Sequence, residues 1–143
     1  MNVETILRNK GNRVVTIRPD AAVAEAVDLL NRERIGAIVV SEDGRGVDGI
    51  LSERDIVIAL AEHGEDLLSQ PVDRIMTRTV ITCDPADSVG TLMAEMTNRR
   101  IRHFPVVADG SLIGIVSIGD LIKNRLDEVE FEANSMRSFI AGA

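Results

Sequence analysis

The chain has 143 residues, 45% of them apolar, with 16 basic against 23 acidic side chains and a net charge of −7. That length suits one compact domain or two small units sharing a core, and the acidic balance repels a phosphate backbone, which argues against a nucleic-acid partner. Three Phe with no Tyr or Trp leave little for stacking single-stranded bases, and the lone cysteine, Cys83, permits neither an intrachain disulfide nor a cysteine metal cluster.

Met1–Thr5 lacks the basic and apolar regions of a secretion signal, and no apolar run reaches membrane-spanning length. We therefore expect a cytoplasmic protein with no membrane partner. In chain order, Val14–Ile17 predicts a β-branched strand stopped by Pro19. Val23, Ala26, Val27 and Leu30 then share one face of a helix. Ala37–Ser41 predicts an apolar strand, Asp43-Gly44 a turn and Val47–Leu51 a second strand. Ser52-Glu53-Arg54-Asp55 opens a helix that runs through Ala61 and ends near Gly64. Residues 65–71 form the natural connector.

The same order then returns. Strand Val80–Thr82, helix Val89–Asn98, strand Phe104–Val107, turn Asp109-Gly110, strand Leu112–Val116 and a helix from Asp120 repeat the first half. Thr16, Pro19, Val23, Ile35 and Val40 align with Thr82, Pro85, Val89, Ile101 and Val106 at a fixed offset of 66. One residue drops out after the turn, so Gly49-Ile50-Leu51-Ser52 and Asp55 align with Gly114-Ile115-Val116-Ser117 and Asp120. The lead-ins match as well, with Val3, Ile6 and Leu7 spaced like Val72, Ile75 and Met76. A half of this size buries too little surface alone, so the expected fold is α/β (α+β): two pseudo-symmetric βαββα units packed together, with an extended C-terminal helix. The units are placed at 1–64 and 72–125, with a helical tail at 126–143. In that last helix Ile122, Leu126, Val129, Ala133, Met136 and Ile140 step by four and three, a heptad seam that needs cover from its own core or, as we prefer, from a partner copy.

Asp55 and Asp120 each stand three residues after a serine, Ser52 or Ser117, where a strand turns into a helix. A helix N-terminus presents free N–H groups suited to phosphate, and a carboxylate there can accept both hydroxyls of a ribose. The same letters also spell a capping box. Recurrence in both halves beside an apolar cleft favours the ligand site. Arg99, Arg100 and Arg102 concentrate positive charge just ahead of Phe104, the best polyphosphate patch in an acidic chain or simply a solvated helix end. His103 is a base or phosphate contact or a half-buried structural imidazole, and His63 reads as surface. Met93 and Met96 read as helical core. Cys83 has no basic partner nearby in sequence that would make it a nucleophile.

The order strand, Pro, helix, apolar strand, Asp-Gly, Gly-Ile-(Leu/Val)-Ser-x-x-Asp resembles a tandem pair of CBS domains, the Bateman module, over about residues 1–125. The second copy is the nearer match through Arg99–Val107. The resemblance implies allosteric or energy-sensing binding of an adenosine-containing ligand: AMP, ADP, ATP, NAD or S-adenosylmethionine. It implies ribose recognition by Asp55 and Asp120 and phosphate or ribose contacts from Ser52 and Ser117. It implies adenine pockets lined by Thr16, Ala37 and Ile38 in one site and by Thr82, His103, Phe104 and Pro105 in the other. Arg54 and Gly119 stand where the family often places a second hydroxyl, so Arg54 is the expected substitute phosphate ligand, joined by Arg102, and the two sites should differ.

The chain contains no P-loop, no GxGxxG, no metal-ligand cluster and no nucleophile–base pair, so catalysis is not expected. Such modules also resemble the regulatory insert of IMP dehydrogenase, but the barrel of roughly 250 residues that its chemistry would use has no room here. The expectation is a stand-alone sensor without a catalytic cofactor or metal. It would work as a homodimer whose nucleotide occupancy alters contacts with a target enzyme or transporter. The alternative is a ligand-free dimerisation scaffold.

Overall fold

A computed structural model describes residues 1–142; Ala143, the last residue of the expected tail, lies outside the described residues. The first half contains α1 (Val3–Lys10), β1 (Thr16–Ile17), α2 (Val23–Glu33), β2 (Ala37–Val40), β3 (Gly49–Ser52) and α3 (Glu53–His63). The second contains α4 (Val89–Arg99), β4 (His103–Ala108), β5 (Ser111–Ser117) and α5 (Ile118–Gly142). The doubled α/β architecture and the long C-terminal helix agree with the sequence reading. Among the described residues no helix is long and apolar enough to cross a membrane.

β1 runs parallel to β2, which pairs antiparallel with β3, while β4 and β5 form an antiparallel hairpin. The strand expected at Val80–Thr82 is reduced to one bridge, Cys83 to Val106, in which the Cys83 N–H donates to Pro105 O and the Val107 N–H donates to Cys83 O. Pro105 accounts for the difference. It occupies the place of Val39 in the first half and lacks the N–H that would extend this ladder toward Ile81. β3 likewise starts at Gly49 rather than Val47. The preceding loop is held by carboxylates, Asp48 accepting from Glu42 N–H and Asp43 from Arg45 and Gly46 N–H. Those two N–H donors hold the Asp43 carboxyl below its usual pKa. The connector is itself ordered: Gly64–Ser69 forms a 3-10 helix whose fully buried Leu67 packs with Val23 and Ala59.

The two lead-ins are exchanged between the halves. Val3, Ile6 and Leu7 of α1 sit in the second core with Val89, Leu92, Met96, Phe104, Val106, Val116 and Leu121. Val72 and Met76 sit in the first core with Ile17, Ala26, Leu30, Ile38, Val40 and Leu51. Two equivalent glycines make the exchange possible. A Cβ on Gly114 would lie 2.7 Å from Leu7 Cδ2, and one on Gly49 would lie 2.5 Å from Met76 Sδ. Replacing Gly114 by valine should therefore destabilise the protein by about 1–3 kcal/mol through overpacking. Pairing it with Leu7→Ala should recover part of the loss, as urea titration followed by circular dichroism would measure.

Candidate functional site

Both strand-to-helix junctions close as full or near-full capping boxes. At the first, Ser52 N–H donates to Asp55 Oδ2 at 2.9 Å, the Ser52 hydroxyl donates to the same oxygen at 3.0 Å, and Asp55 N–H donates to Ser52 Oγ at 3.2 Å. At the second, Ser117 N–H reaches Asp120 Oδ2 at 2.9 Å and Asp120 N–H reaches Ser117 Oγ at 3.1 Å. Each box leaves carboxylate capacity, since an ionised carboxylate has about four acceptor sites. The junctions are tied across the sheets in the same way, Glu53 N–H to Gly36 O at 3.0 Å and Ile118 N–H to Arg102 O at 2.8 Å.

The surroundings of the two carboxylates differ. Asp55 opens onto a cleft of about 680 Å³ between the halves, within the range of small-molecule sites. Its walls are Gly36, Ile50 and Ser52–Asp55 with Val57 from the first half, and Thr77, Thr79–Ile81 and Arg100–His103 from the second. Thr77 pairs with Ile50 in both directions at 3.0 and 2.9 Å, and its hydroxyl stands 3.4–3.5 Å from the Asp55 carboxylate. Among the described residues the ion pairs leave Arg54, Arg100 and Arg102 without an acidic partner. Arg100 also ends α4 in the left-handed region at φ 56°, a conformation that glycine adopts more easily.

Asp120 is not part of that cleft. Lys10 Nζ, from the end of α1, donates to Asp120 Oδ2 at 2.6 Å and to Ile115 O at 2.9 Å. Burial alone would raise the Asp120 carboxyl, but the Lys10 hydrogen bond and the Ser117 N–H together hold it below the usual value.

Of the residues singled out from sequence, the cleft brings together Ser52, Arg54, Asp55, Arg100, Arg102 and His103, while Arg99 pairs with Glu95 outside it. Ala37, Ile38, Phe104 and Pro105 are buried in β2 and β4, Ile38 and Phe104 almost completely, and do not line it. Thr16 is half-buried opposite Val39, and Thr82 is exposed beside the Cys83 bridge; neither reaches the cleft. Ser117 and Asp120 belong to the separate junction closed by Lys10. The sequence reading missed Gly36, Thr77 and the segment Thr79–Ile81. Thr77 and Thr79–Ile81 follow the exchanged lead-in, whose matched spacing was visible but whose crossing was not, and Gly36 is brought to the cleft just ahead of β2. Met96 is core as expected, and the Cys83 thiol is pushed up to about 12 by burial and by Asp87 and Asp84, which keeps it protonated.

His103 stands between the two junctions, and a Cβ on Gly36 would lie 3.4 Å from its ring. Burial and then the Lys10 charge lower its pKa below 6.5, outweighing Asp120 and Glu53. An imidazole harder to protonate in the folded state contributes no penalty above pH 6.5 and a growing one as pH falls below it, because the unfolded chain then binds more protons. Stability should decline below about pH 6.5, and His103→Gln should flatten that decline relative to the parent protein in urea titrations across pH 5–7.5.

With this geometry in place, the comparison with known proteins is decisive. The sequence profile of the CBS domain matches residues 5–62 and 72–127. The chain belongs to the CBS domain family. As a tandem CBS pair it is a regulatory module. It is 32% identical over 148 residues to the CBS domain-containing protein CBSX3, mitochondrial, of Arabidopsis thaliana, covering 98% of this chain and 72% of that protein. The crystal structure of the CBS-domain containing protein ATU1752 from Agrobacterium tumefaciens superposes with a TM-score of 0.84 at 44% identity, covering 87% of this chain and 99% of that one. The CBS domain pair of protein MJ0100, solved with 5′-methylthioadenosine and S-adenosyl-L-methionine, gives 0.78 at 27% identity over 90% and 98% of the two chains.

Proposed function

We propose that this CBS pair is a non-enzymatic sensor that binds an adenosine nucleotide carrying phosphate in the Asp55 cleft and reports its occupancy to a target protein. The observation that carries the reading is the cleft itself: one wall offers the Asp55 carboxylate, and its sides carry three guanidiniums with no acidic partner among the described residues. Asp55 would take the ribose hydroxyls and Thr77 would assist. Arg54, Arg100 and Arg102 would hold the phosphates, concentrating positive charge locally in a chain that is acidic overall. The same cations disfavour the sulfonium of S-adenosylmethionine, so AMP, ATP or NAD is preferred for this chain, although the MJ0100 pair was crystallised with the sulfonium ligand.

The reading extends to a homodimer. Val57 and Ile122 occupy equivalent positions on α3 and α5 and are 65% and 43% exposed. The heptad seam continues bare through Leu126, Val129, Met136 and Ile140. A second copy would cover these faces, and size-exclusion chromatography with light scattering should return twice the chain mass.

Thermal unfolding tests the ligand. At one hundred times Kd, binding stabilises by about 2.7 kcal/mol, a rise of several degrees for a chain of this size. AMP, ATP or NAD should produce that rise. A melting temperature unmoved by any of them and by S-adenosylmethionine would favour the ligand-free scaffold.

A further inference from the structure

We infer that Lys10 occupies the second junction as a built-in cation, so that the folded chain offers one nucleotide site and α1 closes the other. The inference rests on the proposed use of the Asp55 cleft, because it assigns the closed junction the same chemistry. Asp120, Ser117 and Ile115 repeat Asp55, Ser52 and Ile50 in position and in capping geometry, so the second junction has the parts of the first. What differs is the exchanged lead-in. Matching Leu7 with Met76 places Lys10 opposite Thr79, and Thr79 lines the open cleft as a short neutral side chain.

The lysine reaches where the threonine cannot. Its ammonium donates to Asp120 Oδ2 at 2.6 Å and to Ile115 O at 2.9 Å, and the pair is partly covered, with 33% and 25% of the two side chains exposed. The ammonium places a fixed positive charge and its own bulk against the Asp120 carboxylate, where a sugar's hydroxyls would have to approach. Asp55 meets hydroxyls instead of an ammonium, its own Ser52 at 3.0 Å and Thr77 at 3.4–3.5 Å, the latter a contact at the limit of hydrogen bonding that a ligand displaces easily. The Lys10 pair thus sets the inequality between the two sites, and a signal that draws the Lys10 side chain off Asp120 would open the second while α1 stays packed.

The chain has only two lysines, Lys10 and Lys123, which permits a test that needs no ligand. In brief amine acylation of the intact protein read by peptide mass spectrometry, Lys10 should react several-fold more slowly than the exposed Lys123, and Asp120→Asn should remove the difference. Calorimetric titration with AMP, ATP, NAD and S-adenosylmethionine in turn should then give one site per chain for the parent and two for Lys10→Ala, the added site vanishing in Lys10→Ala/Asp120→Ala. Equal acylation of the two lysines, two sites in the parent, or no gain in Lys10→Ala would each overturn the inference. No binding by the parent with one site in Lys10→Ala would instead sink the reading of the Asp55 cleft and leave the role of Lys10 standing.

Discussion

Phe104→Ala should cost about 3–5 kcal/mol of folding stability, enough to leave much of the chain unfolded if its total lies near the lower end of the usual 5–15 kcal/mol. Phe104 is 1% exposed and is the largest of the fully buried side chains. Around it stand Val3 and Leu7 from α1, Leu92 and Met96 from α4, Val106 and Val116 from the hairpin and Leu121 from α5. Truncation opens a cavity in a cluster built from four separate parts of the fold, and these cannot all move inward to fill the space. Phe104→Leu, which keeps most of the volume, should lose clearly less. With neither Trp nor Tyr in the chain, urea unfolding is best followed by far-ultraviolet circular dichroism. A loss below 1 kcal/mol for the alanine variant would mean that the exchanged α1 does not pack there.

Asp55→Ala should weaken nucleotide binding by about 10–100-fold, the loss expected from removing charge-assisted hydrogen bonds worth about 1.5–3 kcal/mol. The variant also loses its part in the capping box, about 1 kcal/mol of stability, so affinity has to be compared in folded protein. Asp120→Ala supplies the control. It breaks the equivalent box on α5, and Asp120 hydrogen-bonds only Ser117 and Lys10 among the described residues, neither of them in the cleft, so its stability should fall while affinity stays near that of the parent. Calorimetry on the two variants separates the outcomes, and equal losses of affinity would show that the carboxylates act as a symmetric pair.

The charge of the cleft follows from the same arrangement. Arg54 comes from the first half, while Arg100 and Arg102 come from the second. Any ligand held by all three therefore bridges the halves. Occupancy then changes the free energy of the interface between them, which is how a small molecule can alter the outer surface that a target protein meets.

Much of this molecule was legible before any coordinates. The doubled βαββα order, the Ser-x-x-Asp junctions, the buried faces of α2 and α4 (with Val27, expected on the first, left 39% exposed) and the long final helix all follow from short-range rules. Strand alternation, helical spacing, turn residues and capping act over a few positions, and repetition at a fixed offset showed each of them twice. Three matters were decided only by tertiary structure. Leu7 and Met76 cross to each other's cores because Gly114 and Gly49 leave room for them, and one missing N–H at Pro105 shrinks a strand to a bridge beside Cys83. Equal motifs at Asp55 and Asp120 stand in unequal surroundings because a lysine 110 positions away pairs with one of them. Periodicity records which face of an element is buried, whereas contacts across such distances depend on how whole elements pack.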